Sequence, residues 1–488
     1  MLKFFISTLI AVSSVLAQSN SNFSSYFSDK TLRIDYFHTG NSQSDLITID
    51  KLYEYGNWAG NPNNTIDNFN NGKYYVKVYD SKTNKLIFSK GYDSYFFEYQ
   101  TGKEALNGIK KTYHESVLIP SPKSKILVKF EKRNRENKLN EIFSFTIDPG
   151  NTNIIKENLH DSSVKVIKSF YSGNPHKKVD VVILGEGYTN SEFKKFKSDL
   201  ARFTNVFFNK EPYKTNKNKF NIYGVFKTSE ESGIDEPRAG IFKNTALNCT
   251  FNSLGSERYL LTEDNKTMRD LAANVPYDAI YIMVNHKRYG GGGIYNQFCT
   301  FTTNNQWSEY VFLHEFGHSF TGLADEYYTS DVAYNDFYPK GTEPVEPNIT
   351  ALLNAPHVKW QNLVTPGIEI PTPWNKNFYD SLDTSWQIKR RMLNDKIAKL
   401  KKENASKQLV MKLEKKYIKL DREHAGKIDS FLVHSKYWNK VGAFEGAGYA
   451  SKGLYRPMLD CIMFSKGNKP FCKVCRNAIS KMIKFYSE

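Results

Sequence analysis

Val311-Phe312-Leu313-His314-Glu315-Phe316-Gly317-His318-Ser319-Phe320-Thr321-Gly322-Leu323-Ala324-Asp325-Glu326 decides how the rest of this chain is read. It holds His-Glu-x-x-His, then a glycine, then two adjacent acids. On a helix, His314 and His318 stand one turn apart on the same face. Two imidazoles at that spacing can take two corners of a zinc tetrahedron. Glu315 projects beside them, where a carboxylate can hold and deprotonate a water. Val311, Phe312, Phe316 and Phe320 follow helical spacing, so the segment reads as a buried amphipathic helix. Ser308 is its expected N-cap and Gly322 its expected stop. The bland reading, two histidines packed in a core, is disfavoured because buried imidazoles one turn apart rarely lack a shared partner.

The third ligand needs a separate argument. In the metzincin pattern H-E-x-x-H-x-x-G-x-x-H, the glycine turns the chain and brings the last ligand back. Here Gly322 comes four residues after His318, and the residue three beyond the glycine is Asp325. Asp325 is therefore the expected third ligand and Glu326 its rival. The bland role for either acid is to orient a zinc-bound imidazole from behind.

Met1 to Ala17 reads as a secretory signal peptide. Lys3 supplies the basic start, Phe4 to Leu16 the apolar run, and Val15-Leu16-Ala17 the cleavage site before Gln18. The run is too short to span a bilayer comfortably. No later stretch reads as a membrane helix, so an exported, soluble protein is expected. Export permits disulfides. The cysteines are Cys249, Cys299, Cys461, Cys472 and Cys475, an odd number. Cys249 with Cys299, and Cys461 with Cys472 or Cys475, are the candidate pairs. Cys472-Lys473-Val474-Cys475 has C-x-x-C spacing but no second C-x-x-C or paired histidines nearby, and it reads as structural, with a redox pair or a second zinc site as the lesser alternative. The formal charge is +16. Fourteen Lys/Arg against five Asp/Glu, a net +9, lie between Lys389 and Lys427. That concentration in one helical stretch, with no nucleic-acid motif, argues against a nucleic-acid partner.

The 488 residues suffice for two to four domains. Residues 18–160 read as a β-sandwich, from Leu32–Tyr36, Tyr74–Tyr79, Lys85–Phe88, Ile126–Phe130 and Ile142–Ile147, with turn residues between them. His38, His114 and Glu115 are its only conspicuous polar groups and read as structural. From residue 161 to 488, strand and helix alternate. Val179–Leu184, Phe220–Phe226 and Ala279–Val284 are expected strands. Phe193, Phe196, Leu200, Phe203 and Phe207 mark one face of a helix. The run Gly290 to Gly293 is either a flexible loop or an edge strand that lets a peptide approach closely. Residues 376–430 read as a basic helical hairpin, broken at Asn404-Ala405-Ser406, and as a solvated decoration rather than a cover for the cleft. Met463, with Met458 as the fallback, suits a tight turn beneath the metal. Ala478–Phe485 reads as a short closing helix.

Taken together, His314-Glu315-Phe316-Gly317-His318, Gly322-Leu323-Ala324-Asp325-Glu326-Tyr327-Tyr328, Tyr455-Arg456-Pro457, Cys461-Ile462-Met463 and Phe471-Cys472-Lys473-Val474-Cys475-Arg476 resemble the IgA-peptidase family of zinc metallopeptidases. Asp180 to Thr189 resembles that family's first strand, with Glu186 where an Asp is usual. The resemblance implies a secreted zinc endopeptidase with a metzincin-like catalytic domain. The expected architecture is α+β and multidomain: an N-terminal β-sandwich, then a metzincin-like α/β zinc-peptidase domain with an inserted helical hairpin. One catalytic Zn²⁺, held by His314, His318 and Asp325, would serve Glu315 as general base on a protein or peptide substrate. Tyr327, Tyr328, Tyr455 and Arg456 are candidate donors to the oxyanion. The alternative is a non-catalytic protein that binds a surface glycan or protein and carries zinc as a structural ion. Glu315 speaks against it, since a structural site needs no base.

Overall fold

Strands rich in aromatic and β-branched residues build two four-stranded sheets in the first third of the chain. One sheet holds β1 (Phe27–Gly40), β2 (Asp45–Tyr55), β5 (Lys111–Pro122) and β8 (Ile154–Ile155), in the order β5-β1-β2-β8. The other holds β3 (Tyr74–Asp80), β4 (Leu86–Tyr92), β6 (Ile126–Arg133) and β7 (Leu139–Ile147), in the order β4-β3-β6-β7. Short helices α1 (Phe23–Tyr26), α2 (Tyr95–Gln100) and α3 (Lys103–Leu106) flank β1 and β4. Leu32, Ile34 and Tyr36 of β1 share one core with Val76, Val78, Val128 and Phe130 of the facing sheet. The computed structural model describes residues 23–156, 161–329 and 337–488. The expected signal peptide, Met1 to Ala17, lies outside them. Among the described residues no helix is long and apolar enough to cross a membrane.

β2 and β5 escaped the sequence reading. β2 leaves most of its side chains partly or fully exposed, and β5 carries His114 and Glu115 in its middle. The polar groups have an internal use. His38 Nδ1 lies 2.9 Å from Glu115 Oε2, and His38 Nε2 contacts Asp45 Oδ1. The other face of β1 is polar as well, with Arg33 on Asp35 at 3.0 Å and on Asp270 at 2.8 Å. Asp270 belongs to the second part of the chain, so this ion pair joins the two parts.

The second part is built on a six-stranded sheet. β9 (Lys165–Phe170), β10 (Val179–Glu186), β11 (Phe220–Phe226), β14 (Ala279–Val284), β15 (Gly291–Ile294) and β16 (Phe298–Thr302) lie in the order β15-β16-β14-β10-β11-β9. The inner strands pair parallel, while β15 and β9 at the edges run antiparallel to their neighbours. Parallel strands bury both faces, which is why β10, β11 and β14 are buried throughout and, apart from Asp180, Glu186 and Asn221, apolar enough to be legible as strands. Val181 and Ile183 face a core shared with α4 (Phe193–Phe208), α6 (Ser308–Thr321) and α9 (Lys473–Ser487). Val182 and Leu184 face the opposite core. There α5 (Asn265–Ala272) and the short strands β12 (Thr250–Phe251) and β13 (Leu260–Leu261) meet Tyr95, Phe96 and Tyr113 of the N-terminal part.

α7 (Lys376–Lys402) and α8 (Lys407–Val433) pack on each other, and β17 (Phe444–Ala447) pairs with β18 (Ala450–Arg456) before α9. The turn between α7 and α8 falls where Asn404-Ala405-Ser406 was expected, with Asn404 at φ 53°. The helix pair is more than a solvated decoration. Arg390 pairs with Glu257 at 2.5 Å, Lys401 with Glu236 at 3.2 Å and Lys287 with Glu414 at 2.9 Å. Trp307 Nε1, just before α6, donates to Asp421 Oδ2 at 2.6 Å. The basic charge is partly taken up by acids of the second part of the chain, Glu236 and Glu257, a use that periodicity cannot show. α9 also starts earlier than expected, because Cys472 caps it by accepting from the Cys475 amide.

His38 is almost wholly buried between two carboxylates. Burial opposes its charge, but Glu115 and Asp45 outweigh burial and raise its pKa. His38→Ala leaves those carboxylates without the cation and should destabilise the fold by about 3–5 kcal/mol in denaturant unfolding. A raised imidazole contributes fully below about pH 6.5 and loses its contribution as pH climbs through the raised value. The gap between wild type and variant should therefore narrow above that pH. A gap that stays constant from pH 6 to 9 would remove His38 from this account.

Candidate active site

α6 owes its placement to aromatic packing. Phe312 and Phe316 stack on Tyr281 of β14 at 4.7 and 5.1 Å, and Phe203 and Phe207 of α4 close around them. Trp307 takes the N-cap position and Ser308 is the first helical residue, one place on from expectation. Gly322 ends the helix at φ 66°, ψ 36°, a left-handed conformation that glycine adopts without strain. Its amide donates to His318 O at 2.9 Å and the Leu323 amide to Gly317 O at 3.1 Å. The chain then doubles back beneath the helix.

That turn brings three donor atoms to one point. His314 Nε2 lies 3.0 Å and His318 Nε2 3.2 Å from Asp325 Oδ1, and the two ring nitrogens are 3.1 Å apart. Ligands around a tetrahedral ion at zinc–nitrogen distances stand about 3.3 Å from one another. The tautomers follow from the carbonyls behind the rings. His314 Nδ1 donates to Ile462 O at 3.0 Å and His318 Nδ1 to Leu323 O at 2.6 Å. With a proton committed on each Nδ1, each Nε2 presents a lone pair. Asp325 Oδ1 is buried and has no hydrogen-bond partner, while its Oδ2 accepts from Tyr449 OH at 2.5 Å. Two lone pairs and a carboxylate oxygen, buried and convergent, are a donor set that fits a divalent cation. The electrostatics agree: burial opposes charge on His318, but Asp325 outweighs it and lifts the imidazole to about 9, so that without an ion a proton on Nε2 takes the cation's place. The cluster attracts positive charge.

Glu315 lies beside these atoms and offers a carboxylate oxygen within 4.8 Å of ligand atoms of His314 and His318. Burial raises its pKa. The glycine run is neither loop nor accident. Gly291 to Ile294 form edge strand β15, which lines the same cleft as Glu315 and the histidines. A Cβ on Gly293 would stand 2.6 Å from Glu315 O, and one on Gly291 2.5 Å from Val311 Cγ1. The glycines are needed because α6 passes too close for side chains. Part of the outer edge is already taken, since Tyr259 bridges to Gly291 in parallel.

The other wall holds Arg258, Tyr289, Tyr310, Tyr327 and Tyr449. Of the four expected donors only Tyr327 is here. Its ring stacks on His314 at 6.3 Å, and its hydroxyl accepts from Arg258 Nη2 at 3.3 Å. Tyr328 turns away to donate to Asp380 at 2.6 Å. Arg456 is fully buried, donating to Gly446 O at 2.7 Å with its guanidinium 3.8 Å from the Phe464 ring centre. Tyr455 is outside the cleft, its backbone paired with Thr350. Arg258 and Tyr449 were missed. The one sequence cue was the glycine-rich turn before Tyr449, which sits at φ 63°. Met463 lies under α6, so close that a Cβ on Gly317 would meet its sulfur at 3.0 Å. Met458 is not needed there.

Asp325 and Glu326 are adjacent in extended chain and point to opposite sides. Asp325 faces the histidines, while Glu326 faces Cys475, with its Oε1 3.2 Å from the sulfur. No disulfide forms, and all five cysteines are free thiols. Cys249 and Cys299 lie in the two different cores on opposite faces of the sheet, so the pairing of these two is excluded. Cys461 and Cys475 approach to 3.9 Å without bonding.

A family model described as IgA Peptidase M64 matches residues 167–483, and a second, described as Peptidase M64 N-terminus, matches residues 22–144. No curated protein matches the chain.

Gly293→Ala tests the close approach of β15 to α6. The added methyl must push the strand off Glu315 and His318, so unfolding measurements should show a loss of about 1–3 kcal/mol. Stability equal to wild type would mean that α6 is not tightly seated.

Proposed function

The chain belongs to the IgA-peptidase family, and from that premise we propose that this peptidase is an exported, zinc-dependent endopeptidase with Glu315 as its general base. The observation that carries the reading is the convergence of His314 Nε2, His318 Nε2 and Asp325 Oδ1 beside the half-buried carboxylate of Glu315. The family concerned is of peptidases, so the substrate class is a protein or peptide. Residues 18–160 act as an accessory β-sandwich, 161–488 as a metzincin-like catalytic domain, and 376–430 as an insertion in it. Met1 to Ala17 direct export.

Zinc held by the two histidines and Asp325 would supply a Lewis acid that lowers a water's pKa to roughly 7 and polarises the scissile carbonyl. The chain's own groups do the rest. Leu323 O and Ile462 O keep the imidazoles oriented. Tyr449 holds the second oxygen of Asp325, so that Oδ1 stays aimed at the ion. Glu315 takes the proton of the attacking water and returns it to the leaving amine. Tyr327, with Arg258 behind its hydroxyl, faces the place where negative charge develops on the carbonyl oxygen. β15 offers its backbone to an extended substrate on the opposite wall.

Digestion of an unfolded protein such as casein tests this. Chelation should abolish cleavage and added zinc restore it. Glu315→Gln should retain zinc and lose about 10²–10⁴-fold in kcat. Asp325→Ala should lose zinc at the catalytic site. Tyr327→Phe should lower kcat by about 10²-fold with little change in KM. Full activity in Glu315→Gln would end the general-base role. The protein recovered from culture medium should begin at Gln18.

A further inference from the structure

Three cysteines and a glutamate form a second cluster behind the catalytic one. Glu326, Cys461, Cys472 and Cys475 are each 3% exposed or less. Their ligand atoms all lie within 4.8 Å of one another. Cys461 Sγ is 3.9 Å from Cys475 Sγ, and Glu326 Oε1 is 3.2 Å from Cys475 Sγ and 4.0 Å from Cys472 Sγ. Around a tetrahedral zinc with bonds of about 2.3 Å to sulfur and 2.0 Å to oxygen, sulfurs stand about 3.8 Å apart and sulfur and oxygen about 3.5 Å apart. The cluster has that size. It is too wide for a sulfur–sulfur bond, which is about 2.05 Å.

The surroundings are those of bound thiolates. The Cys472 amide donates to Cys461 Sγ at 3.2 Å and the Cys475 amide to Cys472 Sγ at 3.4 Å. Cys472 caps α9, a fifteen-residue helix whose positive end favours anionic sulfur. Asn348 Nδ2 donates to Glu326 Oε1 at 3.0 Å and orients the carboxylate. Glu326 Oε2 is buried with no hydrogen-bond partner. A carboxylate set among three thiols in an apolar core is costly unless something pairs with it. Three thiolates and a carboxylate suit zinc: the sulfurs are soft, and the oxygen disfavours copper(I).

We propose that Glu326, Cys461, Cys472 and Cys475 bind a second zinc ion, which fastens the strand carrying Asp325 to the floor of the catalytic cleft. Binding releases the thiol protons to solvent and moves no electrons. With all four positions filled by protein, the ion is structural. Two of the ligands adjoin the catalytic site in sequence. Glu326 follows Asp325, and its amide donates to Met463 O at 2.9 Å. Cys461 precedes Ile462, whose carbonyl orients His314. One ion thus fixes the third catalytic ligand and the support of the first. This also explains why the rival for the third ligand faces away from the histidines.

The test uses the full exported chain, purified without chelator or reductant. Metal analysis of wild type should find about two zinc ions per chain. The His314→Ala/His318→Ala protein should keep about one. Loaded with cobalt(II), it should show the near-ultraviolet sulfur-to-cobalt charge-transfer band of a thiolate site. Cys475→Ser should lose the band and one ion. Should Cys475→Ser fail to fold, the double-histidine protein alone decides. Loss of all metal from the double-histidine protein would overturn the proposal. So would labelling of the unfolded protein that leaves Cys461 and Cys475 unreactive, since that shows a disulfide. If wild type itself holds only one ion and the double-histidine protein keeps it, the second site stands and zinc at the histidines is refuted instead.

Discussion

Two backbone carbonyls govern the chemistry of this protein. Leu323 O and Ile462 O each hold an Nδ1 proton, and so leave both Nε2 lone pairs facing Asp325 Oδ1. Were either ring free to flip, the lone pairs would not meet. Both carbonyls come from chain that returns to α6: Leu323 from the turn after Gly322, Ile462 from a segment far along the sequence. The position of that distant segment therefore matters as much as the helix itself.

Two kinds of force hold it there. Phe464, Phe471 and Met463 bury themselves against α6 and its neighbours in one continuous apolar core. Non-directional packing of this kind supplies stability but tolerates small shifts. Hydrogen bonds supply the register: the Glu326 amide to Met463 O, the Ile462 amide to Pro470 O and Tyr449 OH to Asp325. The further cluster of Glu326 and the cysteines adds directional bonds at the same place. On the opposite side, Gly291 and Gly293 let β15 lie against α6 where a side chain would collide, while Gly290 and Gly292 are packed just as closely on Phe251 and Tyr259.

The helix pair α7–α8 shows how surface charge can serve placement. Arg390, Asp421 and Trp386 sit at its base beside Tyr289, Tyr310 and Tyr327 of the cleft wall. Lys466, from the same segment as Met463, pairs with Asp421 at 3.1 Å. Burial strengthens such pairs relative to those at the exposed tip, where Lys399 and Glu403 pair loosely at 3.8 Å. The pair is thus held along its inner face almost to the tip, where Lys401 meets the buried Glu236, and solvated along its outer face.

Local pattern alone determined a good deal about this protein. The spacing of His314, Glu315 and His318 places them on one helix because a turn of helix is a local matter. Gly322 was legible as the stop for the same reason, and the mainly apolar runs of β10, β11 and β14 announced strands buried on both faces. The choice between Asp325 and Glu326 was not local: both follow the glycine, and only the register of the returning chain sends them to opposite sides. Tyr310 sits one helical turn before His314 on α6 and Tyr289 just before the glycine run, whereas Arg258 and Tyr449 join the cleft from segments with no shared pattern. The polar strands β2 and β5 were hidden because their charged side chains are used across β1, which lies between them, where His38 meets Asp45 of β2 and Glu115 of β5. The cysteines are distributed likewise, Cys249 and Cys299 to different faces of the sheet and the other three to one buried cluster. Spacing along a chain fixes what lies within a turn or a strand. Tertiary packing alone decides which distant groups share a space and which way an extended residue points.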